Sequence, residues 1–317
     1  LRNQQAFDRL LLAPRRLRPA PASMATTVFG RTYNVPFGSA PVGLANLAWP
    51  GTDLAIARLA ARENFPLVLS TAATTDLETI ANAAGGVTWF QLYPARDVAV
   101  TDDLLRRAEA AGITVLVVTV DVPQSARRQR SIRQRVSVPF RFTPAVVLDI
   151  AMRPRWALST LLAGSPQLRN FGPYMASTKV QYAGRMMAQF NKHGLEWSDV
   201  RHIRDRWKGK LVIKGIMDPR DAVDAAKAGA DGVWVSNHGG RQLESLPATI
   251  SALQAVRGAL SREIAVFLDG GILSGESIAK ALGYGADMVF CGRAFVYGAA
   301  AGGRAGEGSV TSGEKRE

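Results

Sequence analysis

The sequence predicts an α/β protein, a (β/α)8 TIM barrel with a long insertion after strand 4 and an incomplete C-terminal end. Three observations carry that expectation. Short β-branched apolar runs alternate with amphipathic stretches along most of the chain. The runs are nearly continuous in apolar residues, as in strands of a parallel sheet covered on both faces. Polar residues collect where the runs end, the edge at which such folds keep their chemistry. The rival, an open doubly wound sheet, needs a GxGxxG turn after its first strand, and none is present.

In chain order, the expected strands are Ala40–Ala45, Pro66–Thr71, Thr88–Tyr93, Val115–Asp121, Leu211–Gly215, Gly232–Asn237, Ala265–Gly270 and Met288–Arg293. Apolar spacing suited to helices falls at Asp53–Glu63, Asp102–Ala111, Pro219–Ala228, Ala248–Leu260 and Gly275–Leu282. The regularity breaks once. Between Asp121 and Leu211 lie roughly ninety residues, far beyond a usual βα connection. Within them Phe140–Phe171 is apolar, carries Trp156, and sets Arg141, Arg153, Arg155 and Arg169 against the single acid Asp149. That composition suits a segment lying in a membrane interface, and equally an insertion packed on its own barrel. After strand eight there is room only for a helical stub, Phe295–Ala301, before a polar, glycine-rich stretch. The expected division is thus a barrel over 1–301, a candidate membrane-binding insertion over 140–171 and a flexible polar tail over 302–317.

Composition bounds the function. At 317 residues and 47% hydrophobic content, the chain can bury a large single core. One cysteine, Cys291, excludes an internal disulfide and sits in a strand-like apolar context. No Cys/His cluster suggests a metal. The net charge of +13 comes from arginines scattered along the chain, without a nucleic-acid-binding pattern, so an anionic cofactor, an acidic substrate or anionic lipid accounts for it better. With no signal peptide and no long uncharged apolar run, the expected location is the cytoplasm, without a spanning helix.

The chemistry concentrates at strand ends. Of the three histidines, only His238 stands at the end of a buried-looking strand, with Arg241 three residues on in a glycine-bearing loop. An imidazole can take a proton near neutral pH, and a guanidinium can hold a carboxylate bidentately, a pairing suited to a small carboxylic acid. Strands seven and eight end in Asp269-Gly270-Gly271 and Gly292-Arg293, where backbone amides and an arginine can meet a phosphate. Lys214 ends strand five, Gln91 and Tyr93 end strand three, and Thr119 and Asp121 end strand four. Singly, each has a structural explanation. Together they are hard to attribute to packing.

These residues resemble a family. Ser236-Asn-His-Gly-Gly-Arg-Gln242, with Lys214-Gly215, Asp269-Gly-Gly271, Gly292-Arg293, Gln91-Leu-Tyr93 and Thr119-Val-Asp121 in order, is similar to the FMN-dependent 2-hydroxy acid oxidases and dehydrogenases. The insertion, with Pro154-Arg-Trp156 and Pro166-Gln-Leu168, looks most like the membrane-associated bacterial mandelate and lactate dehydrogenases. The resemblance implies FMN held by Val42, Gly43, Ser70, Gln91, Thr119, Lys214, Ser236, Asp269, Gly270, Gly271, Gly292 and Arg293. It implies His238 as base, Asp121 stabilising its imidazolium, Arg128 and Arg241 on the substrate carboxylate, and Tyr93 on the hydroxy acid. Ala72, where glycolate oxidases of the family carry a bulky aromatic, implies room for a larger side chain. Leu273 replaces a phosphate-binding arginine of the family. The implied activity is oxidation of an (S)-2-hydroxy acid, mandelate- or lactate-like, with electrons passed to a quinone or other acceptor from a chain peripheral to the inner face of the cytoplasmic membrane. A homotetramer would fit the family. The alternatives are a soluble oxidase that makes hydrogen peroxide, and an inactive barrel fragment retained as a binding module.

Overall fold

The computed structural model describes residues 2–13, 17, 23–123, 143–175, 190–243 and 245–301. A helix, α1 (Arg2–Asp8), and an antiparallel hairpin, β1 (Thr26–Val28) and β2 (Arg31–Tyr33), precede a closed barrel. Its eight parallel strands are β3 (Phe37–Ser39), β4 (Leu67–Ser70), β5 (Thr88–Leu92), β6 (Val115–Thr119), β7 (Lys210–Ile216), β8 (Gly232–Val235), β9 (Ala265–Asp269) and β10 (Met288–Cys291). β10 pairs with β3, Val289 opposite Phe37, which shuts the ring. Around it lie α2 (Thr52–Glu63), α3 (Leu77–Ala83), α4 (Val98–Ala110), α5 (Pro144–Ala151), α6 (Pro154–Ala163), α7 (Trp197–Arg206), α8 (Pro219–Lys227), α9 (Thr249–Gly258) and α10 (Gly275–Gly283). Residues 293–301 are helical, as the stub required.

The expected (β/α)8 barrel is the observed one, with local corrections. The first strand is not Ala40–Ala45 but Phe37–Ser39. Ala40 N–H makes a last bond to Cys291 O at 3.0 Å, and Pro41 has no N–H with which to extend the ladder. The apolar run beyond it is loop, followed by a 3₁₀ turn over Ala45–Leu47. Helix α4 begins four residues before its expected start, at Val98, because Asp97 caps it through Ala99 N at 2.9 Å. α3 was not expected; Asp76 caps it through Thr79 N at 2.8 Å. α7 belongs to the barrel's regular crossover into β7, so the irregular stretch is shorter than the strand spacing suggests.

The barrel interior is a packed aromatic layer. Trp89, Trp234, Phe267 and Phe290 are all buried, and the Trp234 and Phe290 rings lie 4.1 Å apart. Phe29, at the turn of the β1–β2 hairpin, places its ring 5.8 Å from both Trp89 and Phe267. The hairpin therefore stoppers the amino end of the barrel with an aromatic side chain, and barrels of this kind carry their chemistry at the carboxyl ends of the strands.

Candidate active site

The turn after β8 is held in a conformation its sequence alone would not choose. His238 has φ of +56°, in the left-handed region that non-glycine residues occupy at a cost of order 1–3 kcal/mol. Its backbone N–H donates to Ser236 Oγ at 3.1 Å, and its ring Nδ1 lies 3.0 Å from Asp121 Oδ1. Burial pushes the Asp121 carboxyl up, but the His238 hydrogen bond and the Lys214 ammonium outweigh it and hold Asp121 below its ordinary value. An ionised carboxylate only accepts, so Nδ1 carries the hydrogen and Nε2 keeps the lone pair. Asp121 gets this close because residue 215 is glycine. Its φ is +110°, β7 is irregular there, and a Cβ would lie 2.6 Å from the Asp121 Cβ.

Beneath this pair runs a buried polar chain. Lys214 Nζ donates to Ser236 Oγ at 2.8 Å and lies 3.1 Å from Asp269 Oδ2, and Ser236 Oγ donates to Asp269 Oδ1 at 2.7 Å. Lys214 also sits 5.4 Å over the Trp234 ring, the upper face of the aromatic layer. Ser236, fully buried, spends its hydroxyl inside the protein, ordering Lys214, Asp269 and the His238 turn. On the opposite strands, Ser70 Oγ donates to Gln91 Oε1 at 2.9 Å. Gln91 Nε2 and Thr119 Oγ1 are buried and have no hydrogen-bond partner among the described residues. Orphaned buried donors are costly. Gln91, Thr119 and Lys214 lie in the carboxyl-terminal halves of β5, β6 and β7, neighbours in the sheet, so the two orphans and an ammonium gather at one side of the mouth. A flat heterocycle rimmed with carbonyl oxygens and ring nitrogens fits that set, as an isoalloxazine does.

Other expected residues line the rim. Leu44 N–H donates to Ala72 O at 3.0 Å, so the Val42–Gly43 loop lies against the Ala72 wall, and Val42 also faces Gly292. Gly270 and Gly271 have φ of +90° and +96°, and Arg293 is exposed, without an ion-pair partner among the described residues. A Cβ on Gly239 would lie 3.6 Å from Arg293 Nη2, which brings that guanidinium beside the His238 turn. Leu273 is 52% exposed. Tyr93 is half-buried and Arg241 exposed on the His238 turn. Arg128 and the 302–317 tail lie outside the described residues.

Two asparagines to which the sequence assigned no role also shape this mouth. Asn237 spans the His238 turn, its Oδ1 accepting from Gly240 N at 3.0 Å. Asn170, at the far end of the insertion and fully buried, accepts from Leu77 N at 2.9 Å and donates to Ser70 O and Thr71 O at 3.4 and 3.3 Å. The expected insertion is thus two things. Its end, Leu168 to Phe171, is barrel core, with Arg107 bonding Asn170 O at 3.1 Å. Its helices α5 and α6 expose Val147, Leu148, Leu158, Leu161 and Leu162, and Met152 is exposed between them. Trp156, expected in a headgroup layer, instead turns inward and donates to Ala48 O at 3.0 Å. Arg153 pairs with Asp149 one turn back.

The sequence profile of the FMN-dependent dehydrogenases matches residues 1–316. An L-lactate dehydrogenase of Xanthomonas campestris pv. campestris is 42% identical over 287 residues, covering 90% of this chain and 74% of that protein. One of Pseudomonas paraeruginosa is 39% identical over 309 residues, covering 96% and 81%. Among solved structures, the monotopic membrane protein (S)-mandelate dehydrogenase superposes with a TM-score of 0.92 at 36% identity, covering 99% of this chain and 84% of that one.

Proposed function

The chain belongs to the FMN-dependent dehydrogenase family, with FMN as its cofactor, and from that premise we propose that it oxidises an (S)-2-hydroxy acid of lactate or mandelate size while resting on a membrane. The observation that carries the reading is the His238–Asp121 pair standing over Lys214 and the orphaned Gln91 and Thr119 groups. Val42, Gly43, Ser70, Gln91, Thr119, Lys214, Gly270, Gly271, Gly292 and Arg293 would hold FMN, with Ser236 and Asp269 ordering Lys214. Bound there, FMN supplies the acceptor for two electrons. His238 Nε2 takes the substrate's proton, and Asp121 stabilises the imidazolium that results. Arg241, together with Arg128, would clamp the carboxylate and Tyr93 the hydroxyl, fixing the acid in one orientation. Ala72 leaves room in the wall for a methyl or phenyl group.

Electrons would pass to a quinone in the membrane on which the insertion rests. No described helix is long and apolar enough to cross a membrane, so the attachment would be peripheral. Five exposed apolar side chains on α5 and α6 and Met152 between them, each gaining roughly 1–2 kcal/mol in hydrocarbon, outweigh the ~1 kcal/mol that each nearby basic residue gains at an anionic surface. The preferred surface is the inner face of the cytoplasmic membrane. Three measurements test the reading. Anaerobic bleaching of the flavin by L-lactate or (S)-mandelate, faster than by glycolate, is expected; no bleaching by any of the three would overturn it. Turnover with a quinone dye should greatly exceed peroxide release in air, and the reverse would make the protein an oxidase. Liposome flotation should weaken with salt yet persist, and should be lost when 144–163 is replaced by a short polar loop. Equal flotation of both proteins would remove the membrane role from α5 and α6.

A further inference from the structure

Helix α1 lies outside the barrel, yet its Asn3 side chain reaches the catalytic turn. Asn3 Nδ2 donates to Asn237 Oδ1 at 2.9 Å, and Asn237 Nδ2 donates back to Asn3 Oδ1 at 2.8 Å. Both residues are buried. Asn237 divides each end of its amide: Oδ1 also accepts from Gly240 N at 3.0 Å, and Nδ2 also donates to Pro247 O at 3.1 Å. The same Asn3 side chain presses on a second turn. A Cβ on Gly270 would lie 2.6 Å from Asn3 Nδ2, and one on Gly271 2.9 Å from Asn3 Cβ. One side chain therefore touches both the turn that carries His238 and the glycine turn at the end of β9.

The His238 turn needs such support. His238 is a non-glycine residue at φ of +56°, and a strained backbone persists only where its surroundings over-determine it. Ser236 Oγ fixes one side of the residue and Asp121 the ring. The Asn237 amide fixes the turn itself, and half of that amide's partners come from Asn3. Remove Asn3 and a buried amide loses one donor and one acceptor together. We infer that Asn3 is a positioning residue for the His238 base, and that it ties the base's turn to the glycine turn of the cofactor site.

The inference rests on His238 being the base, and its test separates the two. In the full-length FMN-loaded chain, Asn3→Leu keeps the shape of the side chain and deletes the amide. Phe7→Leu loosens the same helix at a buried position and leaves the amide pair intact. Amide hydrogen exchange of 238–241 should accelerate at least tenfold in Asn3→Leu, with Gly240 most affected, and stay near the parent rate in Phe7→Leu. Anaerobic flavin reduction at saturating hydroxy acid should slow on the order of 10- to 100-fold in Asn3→Leu alone, as for small displacements of a catalytic group. FMN affinity, read from quenching of flavin fluorescence, should fall severalfold. Parent-like exchange in Asn3→Leu, or equal acceleration in both variants, overturns the inference. If the parent flavin is not reduced at all, the functional reading fails while the exchange comparison still decides the tether. Should Asn3→Leu not fold, Asn3→Asp, which sets two oxygens against each other at Asn237, gives the same readings and is judged by the same outcomes.

Discussion

A base is only as good as the group that holds its other nitrogen. His238 can accept at Nε2 because Asp121 occupies Nδ1 at 3.0 Å, so the two residues act as one unit. His238→Gln should keep its flavin and lose on the order of 10²–10⁴-fold in the rate of anaerobic reduction by substrate; stopped-flow absorbance reads this directly. The same pair leaves a mark on stability. Asp121 is held below its ordinary value when folded, so as pH falls the unfolded chain takes up that proton first. The stabilisation is complete above the unfolded carboxylate value, about 4, and drains away as pH drops further through the folded value. Urea midpoints of the parent and of Asp121→Asn should therefore be farthest apart from mildly acid to neutral pH and converge below about pH 4. A gap that grew toward strong acid would contradict the pairing. Much of this was legible in the sequence, because His238, Asp121 and Lys214 are rare chemical types at strand ends. Gly215 was legible only as part of a motif. Its reason, the room it leaves for the Asp121 side chain, is a contact between β7 and the end of β6 that no local pattern encodes.

At the scale of elements, the insertion divides where sequence composition could not. Its apolar, arginine-bearing character announced an unusual segment. It did not announce that Trp156 would turn toward Ala48, or that Asn170 would be drawn into the barrel. Both depend on partners roughly a hundred positions away, beyond the reach of any periodicity. The misplaced first strand has a local cause. Phe37-Gly38-Ser39 is too short and too poor in β-branched residues to read as a strand. Gly38 is there because a Cβ would lie 2.4 Å from Pro66 O. Asn170 yields a prediction of its own. It joins the N-terminus of α3 to the carbonyls of Ser70 and Thr71, beside Ala72, so Asn170→Ala leaves buried groups unsatisfied and frees the wall they hold. A loss of about 1–3 kcal/mol in urea unfolding is expected, with a blunted preference for large over small hydroxy acids. Full stability with unchanged selectivity would show that the insertion's return is not what sets the wall.

Taken whole, the barrel was the most legible feature, since eight apolar runs separated by helical stretches admit few other arrangements. What the linear pattern hid was how its two ends are treated. At the carboxyl ends, α1 from the start of the chain and the insertion from its middle reach the mouth and brace separate walls. At the amino ends, Phe29 fills the opening above Trp89 and Phe267. A vessel corked at the bottom would be entered from the carboxyl ends of its strands, and traffic there would queue. Hydroxy acid, departing oxo acid and any bulky electron acceptor would use the same entrance, so the second half-reaction waits for the first product to clear. Reciprocal plots of rate against hydroxy acid, at several fixed acceptor concentrations, should then be parallel lines, the mark of ping-pong turnover. Lines that converge would mean that both partners bind together, and that the acceptor has found some other way in.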